Sequence, residues 1–162
     1  MSPDRVSITT YLEMRQPQTP QVTPPHRSGM LLRIAEPVVP FYRYLRGELG
    51  EALVGDDDAV LDRLADDGYD VYVVYLGGVP AAMFELDRRV PTEVEVAGFG
   101  VLRGFEGRGL DRYLLATAIE TAWQHGPQRV WVTAGDRDDP RRILLLQWAG
   151  FVPYRTTEER SD

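Results

Sequence analysis

EVEVAGFGVLRGFEGRGLDRYLLATAIETAW, residues 93–123, is the stretch that decides the fold. Its opening residues alternate and are rich in valine, as a half-buried strand requires. Its closing residues, from 110 onward, form a long apolar helix that Gly126 and Pro127 end. Between them runs a loop with Gly107 and Gly109. A strand, a glycine turn and a helix N-terminus together make an anion site. Glycine admits positive φ and close backbone approach. The first N–H groups of a helix lack internal acceptors and point into the turn. The spacing alone leaves a second reading open, a tight connection whose glycines serve geometry only.

With residues 130–133 as the next strand, this stretch becomes a strand-helix-strand unit, whose two strands should run parallel through a right-handed crossover. Upstream, residues 70–75 and 81–86 read as strands joined by the turn LGGVP, and with 93–102 they form an antiparallel meander. Two helices are expected before the meander. One spans 41–53, with Tyr44, Leu45, Leu49 and Leu53 on one stripe, and one spans 56–67, with acids in its first turn. Residues 30–35 read as a strand. Asp139 and Pro140 open a last helix to 149, capped by Gly150, and 151–156 is a final strand. The order describes an α+β fold on one mixed sheet.

An additional strand lies near the N-terminus. In VSITTYLEM, residues 6–14, Val6, Ile8, Leu12 and Met14 face one way. The proline-rich RQPQTPQVTPPHRSG that follows reads as an extended linker. The chain thus divides into residues 1–29, a strand and a linker, and 30–162, the main domain. A strand with one apolar face needs a partner, so 6–14 is expected to add to a sheet edge, in its own subunit or in that of a homodimer partner.

Composition removes several chemistries. The 162 residues contain no cysteine, so there is no thiol nucleophile and no thiolate metal site. All 18 basic residues are arginine, which excludes a Walker lysine and a Schiff base. The formal net charge of -7 argues against nucleic acid as a partner. No apolar run is long enough to span a membrane, and the N-terminus lacks a signal peptide's apolar block, so a cytoplasmic location is expected. Ser2, Ser7, Ser28 and Ser161 lie outside the expected core, none at a strand-to-helix elbow. His26 and His125 are without ligand-like spacing, and no metal site is expected. His125 is read as ending a helix, where a cation suits the dipole.

The stretch 93–123, followed by RVWV and LLLQWAGFVPYR, resembles the GNAT superfamily of acyl-CoA-dependent N-acetyltransferases over residues 30–155. GRGL and AGFVPYR are its most specific parts. The resemblance implies that backbone amides of Glu106, Gly107, Arg108, Gly109, Leu110 and Asp111 hold the pyrophosphate of acetyl-CoA. It also implies that Val101 and Leu102 pair with the pantetheine arm, in a gap where two parallel strands splay. Arg103 and Arg108 could face phosphates. The acceptor would be a small-molecule amine entering from the opposite side, walled largely by residues 47–58. Glu95 falls where many members carry a carboxylate general base. Glu93 shares its strand face, and Glu85 on the neighbouring strand is a further candidate.

Three departures stand out. The family loop begins with Gln or Arg and ends with Gly or Ala, and here both places are acidic, Glu106 and Asp111. A carboxylate about 6 Å from a phosphate charge costs roughly 3 kcal/mol at an effective dielectric of about 20. Either arginines, with Arg103, Arg108 and Arg112 as candidates, neutralise these acids, or the loop no longer holds the coenzyme. Second, the position of the family's thiolate-protonating tyrosine is Leu146, for which Tyr154 is a candidate substitute. Third, Asp136, Asp138 and Asp139 make the loop after the fork unusually acidic, where they could attract a cationic acceptor. The expected activity is acetyl transfer by direct attack in a ternary complex. The alternative is a GNAT fold that has lost it and binds a ligand or partner, or catalyses another reaction with its strand carboxylates.

Overall fold

The computed structural model describes residues 5–22, 30–34, 36, 38–50, 56–136 and 138–161. Ser2, His26, Ser28 and residues 51–55 of the expected acceptor wall lie outside them. The elements run β1 (Arg5–Met14), β2 (Met30–Ile34), α1 (Val39–Glu48), α2 (Asp57–Leu64), β3 (Tyr69–Leu76), β4 (Val79–Asp87), β5 (Glu93–Val101), α3 (Leu110–Gln124), β6 (Arg129–Gly135), α4 (Pro140–Trp148) and β7 (Val152–Ser161). Seven strands form one mixed sheet in the order β2-β3-β4-β5-β6-β1-β7. The antiparallel meander β3-β4-β5 and the parallel β5–β6 pair are as the sequence predicts. Among the described residues no helix is long and apolar enough to cross a membrane.

The N-terminal strand corrects the sequence reading. It does not lie at an edge but inside the sheet of its own chain, antiparallel to β6 on one side and to β7 on the other. Its alternation explains this in part, since Leu12 and Met14 are buried while Val6 and Ile8 remain partly exposed. Only the inner half of the strand enters the core.

Two cores flank the sheet. On one face α3 and α4 pack Leu114, Leu115, Ile119 and Leu146 against Leu12, Phe84, Val94 and Val132. On the other, α1 and α2 pack Tyr42, Leu45, Val60 and Leu64 against Val71, Val73 and Met83. The buried stripe of α1 is Tyr42 and Leu45, not the expected Tyr44, which is exposed. The helix starts two residues earlier than its sequence pattern predicts, with Pro40 in its first turn, which fits proline's fixed φ. His125 caps the C-terminus of α3, but burial and then Arg88 lower its pKa, so it is neutral at pH 7 and adds no charge to the helix end.

A bulge in β5 sets what faces the site. Glu85 of β4 pairs with Gly98 and Leu86 with Val96, so Ala97 is the extra residue. An inserted residue exchanges the two faces downstream of it. Phe99 therefore joins the α3/α4 core, and Gly98 and Gly100 turn toward α1. A Cβ on Gly100 would lie 2.7 Å from Leu49, and one on Gly98 would collide with the Arg46 guanidinium. Glycine there lets α1 rest directly on the strand. Gly98→Ala is expected to cost about 1–3 kcal/mol by overpacking, read as a lower denaturant midpoint at unchanged m-value.

Candidate active site

Strands β5 and β6 pair over only three positions, Glu93↔Arg129, Val94↔Val130 and Glu95↔Trp131. Beyond Glu95 they part. β5 continues to Val101 on the side of β4, and β6 continues to Gly135 on the side of β1. Parallel strands that separate leave a fork with one unpaired backbone edge on each prong. A ligand with its own amides can complete such an edge.

The fork opens into a cleft of about 670 Å³. Its lining includes Phe99, Gly100 and Val101 from β5, the loop residues Phe105, Glu106, Gly107 and Gly109, the first residues of α3, and Asp138, Asp139, Arg141, Arg142 and Leu145. Gly107 and Gly109 have φ of 75° and 76°. Gly109 is the N-cap of α3 and no side chain caps the helix, so its first N–H groups are available to a ligand in the loop. A Cβ at Gly107 would meet nothing within 4 Å. Positive-φ glycines and a helix N-terminus without a side-chain cap thus leave backbone N–H groups at the mouth of the cleft, the elements that a diphosphate there would need. Arg103, Arg108 and Arg112 are exposed and do not line the cleft. Arg108 lies over the Phe105 ring at 5.1 Å and Arg112 over Trp148 at 4.8 Å. Leu102 is buried in the α1/α2 core rather than open to the cleft, and its N–H donates to the Ala81 carbonyl.

Glu95 sits at the apex of the fork, in the last β5–β6 pair. It directly faces Asp87 of β4. Burial, and then the charge of Asp87, raise its pKa to about 7. Asp87 itself stays anionic because Arg89 donates to both of its carboxylate oxygens, at 3.0 and 2.7 Å. Glu93 is held differently. Arg129 bonds it at 2.8 Å and also donates to Glu13 and to the Tyr154 hydroxyl, each at 2.9 Å. Burial works against that cation, but the bonds to Glu13, Tyr154 and Glu93 raise its pKa. Glu93 and Tyr154 therefore share one arginine on the open sheet face, two strands and more from the cleft in the case of Tyr154. Trp131 stacks with Tyr11 on the same surface.

Glu85 occupies a place that the sequence did not single out as structural. It is fully buried and accepts from Tyr42 at 2.5 Å, Tyr69 at 2.8 Å and Arg46 at 2.7 Å. Arg63 of α2 donates to the Tyr42 hydroxyl and lies over both tyrosine rings. Burial and the Glu85 charge push Tyr42 up to about 12 and raise Tyr69 further. A second cavity, of about 380 Å³ between α1, α2 and β3, shares no lining residue with the cleft.

Two of the three acids after β6 order their loop through their carboxylates, and Asp136 takes part through its backbone. Asp138 accepts the Gly135 N–H, Asp139 caps α4 through the Arg141 N–H, and the Asp136 N–H donates to Ile8. Arg141 holds the Asp139 pKa at about 2. Leu146 is fully buried in the α3/α4 core, while its neighbour Leu145 lines the cleft. No hydroxyl stands on that helix face.

The family model of the GNAT acetyltransferases matches residues 37–151. No curated protein matches the sequence. A GNAT-family acetyltransferase structure from Novosphingobium aromaticivorans aligns with a TM-score of 0.67 at 23% identity, over 96% of this chain and 64% of that one. A GCN5-related N-acetyltransferase from Sphaerobacter thermophilus aligns with 0.71 at 15% identity, over 97% of this chain and 53% of that one. An aminoglycoside acetyltransferase from an uncultured soil sample, solved with sisomicin, aligns with 0.59 at 12% identity over 75% of this chain and 88% of its own. The chain spans 58–64% of the length of the first three matched structures. With more than half of its residues matched by the family model and the forked sheet in place, the chain belongs to the GNAT acetyltransferase family, whose members in general use acyl-CoA donors.

Proposed function

We propose that this protein transfers an acetyl group from acetyl-CoA to a small-molecule amine, in the cytoplasm, by direct attack in a ternary complex. The observation that carries the reading is the position of Glu95. It lies at the apex of the fork, between the donor cleft and the sheet face that bears Asp87 and Glu93, with a pKa of about 7. A base with a pKa near the working pH takes a proton most effectively. The bound donor supplies a thioester carbonyl. Glu95 takes a proton from the ammonium acceptor, directly or through one water, and Asp87 keeps that corner anionic. The carboxylates of this face suit a cationic acceptor. With Leu146 buried and Leu145 in the cleft, the thiolate leaves with water as its proton source.

One observation favours the alternative. Glu106, Asp111, Asp138 and Asp139 line the cleft against Arg141 and Arg142. A GNAT fold with this balance could have given up the coenzyme for a different ligand. Calorimetry separates the two readings. Acetyl transfer requires a Kd for acetyl-CoA below roughly 1 mM, and ligand at about 100 times Kd stabilises by about 2.7 kcal/mol in a melt. Absence of heat and of a melting shift at millimolar acetyl-CoA would establish the alternative.

A further inference from the structure

The cleft has the backbone of a diphosphate site, yet the loop's own side chains add negative charge at both ends. The cations that line it come from the first turn of α4. Arg141 is paired with Asp139 at 2.7 Å and its side chain is 87% exposed. Its pKa is raised by Asp139 first, then by Asp111 and Glu106. It lines the same cleft as the two loop acids. Arg142 is in the slot itself. Its guanidinium lies 4.1 Å from the centre of the Phe99 ring, its Nη1 is 3.4 Å from the Phe99 carbonyl oxygen, and its Nε is 3.5 Å from Asp138. Phe99 belongs to the part of β5 that β6 has left, so Arg142 covers backbone that a pantetheine arm would need.

Resting on the acetyl-CoA reading above, we propose that Arg141 and Arg142 are the donor-specificity residues. They supply the charge for the diphosphate that the loop lacks, and Arg142 covers the Phe99 carbonyl until a phosphate-bearing donor draws it away. Guanidinium suits both positions, because it bonds phosphate oxygens in pairs, and at Arg142 it also lies over the Phe99 ring. The two carboxylate partners hold the arginines near the cleft without filling it. A donor with the same thioester arm but no diphosphate has to open the slot with nothing to offset the lost Arg142 contacts. The chain would then discriminate among thioesters by their phosphate and not by their acyl arm.

The test compares two ligands, acetyl-CoA and S-acetylpantetheine, by calorimetry on the full chain. Arg142→Met keeps the aliphatic packing on Phe99 and removes the charge. Arg141→Gln, at an exposed position, is the second variant. In each, the ratio of the two affinities is expected to shift against acetyl-CoA by about tenfold or more. In Arg142→Met, S-acetylpantetheine is expected to bind at least as well as it does to the wild type. A ratio unchanged in both variants, with both ligands weakened together or neither affected, overturns the proposal while leaving the acetyl-CoA reading intact. A wild type that binds neither ligand at millimolar concentration overturns the reading on which the proposal rests.

Discussion

Glu95→Gln is expected to lower kcat by about 10²–10⁴-fold, the range typical of a positioned general base, with the KM for acetyl-CoA changed only a few-fold. The substitution keeps the size and hydrogen-bonding reach of the side chain and removes its basicity. In the wild type, kcat/KM should rise with pH and level off above about pH 7, where Glu95 is ionised. The stability signature has the opposite sign. The folded pKa lies above the ordinary value of 4.5, so the native state binds this proton more tightly than the unfolded chain. Its contribution is fully present below about pH 4.5 and is lost as pH rises through about 7. Glu95→Gln removes that loss, so the variant should match the wild type near pH 4 and melt higher at pH 8, by an amount on the order of 1–3 kcal/mol. A variant that is slower and no more stable at pH 8 would mean that Glu95 is not a buried base. Full activity at every pH would move the role to Glu93, Glu85 or solvent.

The fork around Glu95 was legible because its elements are local. Strand 93–101, the glycine turn and the helix from Leu110 follow one another in sequence, and the parallel pairing of β5 with β6 follows from the single helical crossover that joins them. The place of β1 was not legible. Alternation in 6–14 tells that one face is covered, but not that β6 and β7, more than a hundred residues away, lie on either side. The Ala97 bulge was hidden for a related reason. VEVAGFGV reads equally well as uninterrupted alternation, and only the pairing with β4 shows the exchange of faces that brings Gly98 under Arg46. At the site, the local motif pointed to Arg103 and Arg108 as cations for the loop and had no means of pointing to Arg141 and Arg142. Arg103 and Arg108 are near in sequence and turn outward, whereas Arg141 and Arg142 reach the cleft from the next helix. Glu85 was read by type, as a spare base, because its partners Tyr42, Arg46 and Tyr69 are 43, 39 and 16 positions away.

Those partners make Glu85→Ala the substitution with the largest expected effect on stability. The carboxylate is the common acceptor of two buried hydroxyls and a guanidinium whose side chain is only 16% exposed. Removing one member of a buried ionic cluster leaves the others desolvated without their acceptor, which typically costs about 3–5 kcal/mol. Glu85→Gln keeps an acceptor oxygen and loses the charge, so a smaller loss is expected, of about 1–3 kcal/mol. A double-mutant cycle with Arg46→Met should give a coupling of at least about 1 kcal/mol, since the two side chains are in direct contact. The cluster joins α1 and α2 to β3 and β4 beside the bulge, and α1 lies directly on the free prong of β5. On the proposed function, loosening it should therefore raise the KM for acetyl-CoA along with that for the acceptor, because Leu49 and Gly50 at the end of α1 line the cleft. A denaturant midpoint within about 1 kcal/mol of the wild type for Glu85→Ala would show that solvent reaches these groups and that the cluster does not hold α1 against the fork.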